Sequence, residues 1–197
     1  MRHFLTLAAL AASATALPTA AQAQRAPAAT IVIVDTGRIY RECTACRTAQ
    51  ASLQSQTNAL QTRQQTLAGP LRTEGQAIQT AINALNGKEA PAALRTRVQA
   101  FQTRERQAGE ELQRSQANLQ SIQQNVLRQI NTRLGPAINQ VMTQRGANLA
   151  VDVDATLAHA PATDVTTAVL AALNATLPSV SLTPLPAQQQ PAQSPGR

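Results

Sequence analysis

The chain has 197 residues, of which 43% are hydrophobic but only 2% aromatic, and its formal net charge is +7. A compact single-core globule of this size buries several aromatic rings, each a large apolar contribution, so this composition excludes one. Ala, Gln, Leu and Arg dominate instead; all four are good helix formers, and they point to helices packed along a narrow stripe.

The N-terminus comes first. Arg2 and His3 precede an apolar stretch from Phe4 to Leu17, Pro18 breaks it, and Ala21-Gln22-Ala23 offers small residues where a signal peptidase reads. The stretch is too short to span a bilayer, so residues 1–23 are expected to be a cleaved signal peptide and the mature chain exported. Thr30-Ile31-Val32-Ile33-Val34-Asp35 is then a β-branched run of strand length. Residues 24–47 are expected to form one part of a small head.

Helical signals dominate from Thr48. Leu53, Leu60 and Leu67, then Leu71, Ile78 and Leu85, recur in sevens joined by one step of four, as in a coiled-coil stripe with a phase shift. Asn86-Gly87-Lys88-Glu89-Ala90-Pro91 combines a helix-stopping glycine with a proline suited to a helix start. Leu94, Val98, Phe101, Ala108, Leu112, Leu119, Ile122 and Val126 then carry a second stripe. Residues 48–146 are therefore expected to be one antiparallel helical hairpin, a prong with its tip near 86–91 and a first helix ~57 Å long. Gly69-Pro70 interrupts that helix, and folding about the tip sets Gly109 almost opposite, so Gly69, Pro70 and Gly109 form a candidate hinge.

Asn148 to Val153 reads as a strand and Thr156 to Ala160 as a shorter one, with a helix behind Asp164. The head strands would be Ile31, Val32, Ile33 and Val34 with Leu149, Val151 and Val153, the second half of the head spanning 147–175. Residues 176–197 are Pro-, Gln- and Ser-rich without periodicity and are expected to be disordered. The fold class is thus mainly α with a small β body. Exposed strand edges on so small a head invite pairing with further copies.

Charge belongs to the prong: residues 48–146 hold 11 basic and 5 acidic residues, the whole mature surplus. Arg63, Arg72, Arg95, Arg97, Arg104, Arg106 and Arg114 are the candidate basic residues for contact with a partner. They are scattered singly with almost no stacking aromatics, which argues against nucleic acid and for weak contact with anionic lipid, lipopolysaccharide or acidic polypeptide.

Cys43-Thr44-Ala45-Cys46 is the one chemical motif. Its placement between strand and helix is that of a thiol–disulfide site, but the aromatic before the first Cys and a βαβ continuation are missing. A local structural disulfide suits an oxidising compartment better. No second ligand pair completes a metal site, one mature histidine builds no hydrolase, and no glycine loop holds a phosphate. No catalytic, metal or cofactor residue is expected, and no enzyme.

Ile31-Val32-Ile33-Val34-Asp35 with Arg38-Ile39, the long hairpin, Gly146-Ala147-Asn148-Leu149-Ala150-Val151-Asp152 and Asp164-Val165-Thr166-Thr167-Ala168-Val169-Leu170 together resemble the OmpH (Skp-like) periplasmic chaperones over roughly residues 29–175. The resemblance implies a homotrimer built on a shared β-barrel body, whose prongs hold unfolded outer-membrane proteins without ATP. Cys43-Thr44-Ala45-Cys46, the near absence of Lys and the Pro/Gln tail depart from that family's pattern. A structural coiled-coil protein of the envelope, or a thiol–disulfide protein, are the alternatives.

Overall fold

The computed structural model describes residues 28–186; the expected signal peptide and the last part of the tail lie outside them. Strand β1, Ile31–Val34, buries Val32, Ile33 and Val34. Asp35 ends it and caps the short helix α1, Thr36–Glu42, by accepting the Arg38 N–H at 2.6 Å. Cys43 is extended (φ −60°, ψ 140°) and breaks the helix, then caps α2, Thr44–Asn83, as its sulfur accepts the Cys46 N–H at 3.0 Å. One residue thus ends α1 and starts the prong.

Helix α2 has 40 residues and α3, Ala92–Gln144, has 53, so α3 is ~80 Å long. The turn between them uses left-handed backbone at Asn86 (φ 48°) and Gly87 (φ 84°), as the Asn-Gly pair permits, and Pro91 precedes the new helix. Gly146 (φ 63°) leads out of α3. Strand β2, Leu149–Asp152, then pairs parallel to β1, with Ile31 opposite Leu149 and Val34 opposite Asp152. Beyond the strand ends, Asn148 accepts the Thr30 N–H at 2.9 Å and donates to the Ala28 carbonyl at 2.8 Å.

The expected strand over Thr156–Ala160 does not form, and Val153 is not a strand residue. Val153–Ala155 and Pro161–Thr163 are single 3₁₀ turns. Local side chains decide this: Asp152 accepts the Asp154 N–H at 3.0 Å, and the Thr156 hydroxyl donates to the Val153 carbonyl at 2.9 Å. The far side of β1 instead receives one bridge, from Asp164 to Ile33, with the Val165 N–H on the Ile33 carbonyl at 2.9 Å. Helix α4, Thr166–Thr176, follows and packs on α1, α3 and β1.

The core lies where these elements meet. Ile39, Val169 and Leu173 are fully buried, with Val141 of α3 and both cysteines among them. This cluster continues up the prong root through Leu134, Ile130 and Val126 to Ile122. Beyond it the stripe residues Leu60, Leu67, Leu71, Leu94 and Leu112 are only half-buried, and Ile78 and Ala108 alone are buried.

Part of the tail is not disordered as expected. Residues 177–186 run back along α3, with Leu177 buried and Val180 and Leu182 against the core. Alternating apolar residues and three prolines give this segment both something to bury and little freedom to lose.

Leu173→Ala should destabilise the chain by about 2–5 kcal/mol, as for other fully buried leucines. Leu157→Ala, at a wholly exposed side chain, should change stability by less than about 0.5 kcal/mol. Thermal unfolding followed by circular dichroism measures both, and equal effects would contradict the placement of the core.

Candidate functional site

The candidate basic residues divide by what they touch. Arg63 of α2 grips Glu111 of α3 through two guanidinium nitrogens, and Arg97 of α3 grips Glu74 of α2 in the same two-pronged way. Arg104 adds a contact to Glu74 at 3.5 Å. Arg95 pairs with Glu89 beside the tip, and Arg114 with Glu110 one turn earlier on its own helix. Five of the seven are therefore engaged within the chain; among the described residues, Arg72 and Arg106 have no acidic partner. Three of the five act as cross-helix clamps, holding together a pair whose apolar seam is thin.

The clamps bracket the level of Pro70. Glu111–Arg63 lies on the head side and Glu74–Arg97 on the tip side. Between them a groove of about 250 Å³ opens, lined by Leu67, Pro70, Leu71, Arg104, Ala108 and Glu111. Helix α2 continues through Pro70 and α3 through Gly109. Arg104, Gln107, Ala108 and Glu111 of α3 share this groove with Pro70, and Gly109 is not among its walls; a Cβ on Gly69 or Gly109 would meet nothing within 4 Å. Neither glycine is there for close packing.

A third glycine is, and sequence reasoning missed it. A Cβ on Gly75 would stand 3.3 Å from the tip of the Phe101 ring, so the prong's one aromatic lies over a residue with no side chain. The clue in the sequence was a glycine inside a helical pattern with no turn signal beside it.

At the prong root an apolar groove of about 300 Å³ runs between α2 and α3, walled by Tyr40, Ala49, Leu53, Val126, Leu127 and Ile130. Leu127 is 52% exposed there. Cys46 also lines it, joined to Cys43 as a disulfide with Cα atoms 5.0 Å apart. Both cysteines are at most 2% exposed, a setting that gives an incoming thiolate little access.

In the head, the Asp152 carboxylate accepts from the Thr36 hydroxyl and the Asp154 N–H. The Thr36 hydroxyl and then the Asp154 N–H hold its pKa below the ordinary aspartate value. The Thr166 hydroxyl and N–H do the same for Asp164. On the prong, Arg97 lowers Glu74 and Arg63 lowers Glu111, in both cases chiefly through the side-chain hydrogen bond. No group of three or more potential metal ligands occurs among the described residues.

All four carboxylates are lowered in the folded state, so their contribution is complete above the ordinary values of about 3.9 for Asp and 4.3 for Glu. It is lost as pH falls below that range. Spin labels on facing positions of α2 and α3 should report a close pair at neutral pH and a broadened distance distribution below about pH 4. Glu74→Gln combined with Glu111→Gln should broaden it at neutral pH already. A distribution indifferent to both changes would show that the clamps do not hold the prong.

The chain's fold has a known counterpart. It superimposes on a crystal structure assigned to an OmpH-like outer membrane chaperone of Caulobacter crescentus CB15 with a TM-score of 0.67 at 22% identity, covering 86% of this chain and 98% of that one. None of the curated proteins matches this sequence significantly. The family described as Outer membrane protein (OmpH-like) matches residues 30–173, from just before β1 into α4. That span takes in both strands, the whole hairpin and the packing helix, and the chain belongs to the OmpH-like family.

Proposed function

We propose that this protein is an ATP-independent periplasmic holdase that binds unfolded outer-membrane proteins and keeps them from aggregating before insertion. The observation that carries the reading is a two-helix prong, ~80 Å along α3, rooted in a small head within a family match that spans both. Such a prong offers a long surface of scattered contacts. Arg72 and Arg106 lack acidic partners among the described residues, the root groove exposes Leu127, and the Pro70 groove adds an apolar recess between charged walls. Many weak contacts suit a client that must later be released, since affinity that is spread thinly needs no single tight pocket. None of the described helices is long and apolar enough to cross a membrane.

The buried disulfide supports a structural role for Cys43 and Cys46, pinning the α1–α2 corner, over an exchange role. Self-association has its own support. Ile31 and Leu149 face each other across the sheet, 44% and 45% exposed, and the outer edge of β2 has no strand beside it among the described residues. A homotrimer closing its sheets into one body would cover both. Three prongs on that body would then surround the client.

The mature chain should suppress light scattering from a urea-diluted outer-membrane β-barrel at near-stoichiometric trimer, with no nucleotide present. Native mass measurement should give three chains, and Leu149→Asp should give a helical monomer with weakened suppression. A monomeric wild type that leaves scattering unchanged would refute the chaperone reading and leave that of a passive coiled-coil spacer.

A further inference from the structure

The tail segment that settles on α3 does so in an unusual way: α3 reads its main chain. Gln129 donates to the Ser181 carbonyl at 3.0 Å and accepts the Ser181 N–H at 2.8 Å. Asn125 donates to the Thr183 carbonyl at 2.8 Å, and the Ser121 hydroxyl accepts the Leu185 N–H at 2.8 Å. Residues at steps of four on the helix thus meet residues at steps of two on a chain that runs the opposite way and bends at Thr183. None of these four bonds depends on the identity of a tail side chain.

Over residues 180–183 the tail alternates in burial as a half-buried strand does; the alternation stops there, with Pro184 exposed and Leu185 half-buried. Val180 and Leu182 turn toward the core while Ser181 and Thr183 stay exposed. Pro184 and Pro186 occupy the parity whose N–H would face away from α3, so they remove no donor to the row. They also blunt the outer edge against further strand pairing.

We propose that Ser121, Asn125 and Gln129 form a main-chain-reading site for polypeptide of alternating apolar and polar residues, and that residues 180–185 are its resident intramolecular occupant. The inference rests on the holdase reading, which supplies the second occupant. Strands of unfolded outer-membrane barrels alternate in this way, and they present carbonyls and N–H groups at the same two-residue spacing. Four hydrogen bonds and the partly buried Val180 and Leu182 hold the segment, less than secures the core, so it opens more readily than the core does. Client enters as the tail leaves. A competing intramolecular segment lowers apparent affinity by the fraction of time it is seated.

The test uses the full chain. Hydrogen exchange should show the Ser181 and Leu185 amides protected in the free protein and exposed when a urea-denatured β-barrel is added. Val180→Asp with Leu182→Asp should release the tail and tighten client binding about tenfold. Adding Asn125→Ala and Gln129→Ala to that variant should abolish the gain. A labelled peptide of residues 179–186 should bind the released-tail variant and not the variant that also lacks Asn125 and Gln129. Amides that stay protected in the client complex would overturn the proposal, as would a gain that survives loss of both side chains. If the protein binds no client at all, the holdase reading fails separately. Peptide binding to the released-tail variant then still decides whether the row reads main chain: no binding there refutes it.

Discussion

The closure of β1 against β2 is the constraint on which the rest depends. Thr30 and Asn148 are bonded across 118 positions of chain, and everything between them must leave the head and come back to it. A parallel pair demands such a crossover, and here the crossover is the prong itself. The two helices of the hairpin are therefore forced together at the root before any contact along their length contributes. That is why the core cluster runs from the sheet through α4 into the first turns of the hairpin and fades beyond Ile122.

Past the root, the balance of forces changes from burial to charge. A seam of half-buried leucines stabilises only modestly, and the cross-helix Arg–Glu pairs make up orientation where packing cannot. Exposed pairs contribute little each, so the hairpin is held firmly at one end and loosely along the rest. Placing two-pronged pairs on both sides of the Pro70 groove confines the loss of a helical hydrogen bond at that level to a short interval. The same arithmetic explains the net charge: most acidic residues of the prong are taken up in pairing, and the basic excess is left facing outward.

Much of this was legible in the sequence because it rests on periodicity and on turn chemistry. The steps of seven and four from Leu53 to Leu85 locate the seam, and Asn86-Gly87 with Pro91 locate the tip, since only particular residues tolerate those backbone angles. What could not be read is what depends on partners distant in sequence. Nothing in Asp152-Val153-Asp154 reveals that Thr36 will take the Asp152 carboxylate and that the chain will curl there and not continue as a strand. Arg63, Arg95, Arg97, Arg104 and Arg114 looked available for a client because their glutamates are identified only once the hairpin is folded. Gly75 carried no signal beyond its identity until Phe101 was placed over it.

The tail is the most instructive case, because composition pointed the wrong way for a physical reason. Prolines and serines signal a chain that cannot bury enough to order itself, and that holds for an isolated segment. Against α3 the terms differ: each pre-proline residue is already biased toward extended backbone, so little entropy remains to be lost, and the helix supplies donors and acceptors in register. Binding of this kind asks of its partner only that it be extended and turn an apolar side chain inward at every second residue. A helix whose polar residues recur every four positions can meet such a chain without reading its side chains, as α3 does here with the chain's own tail.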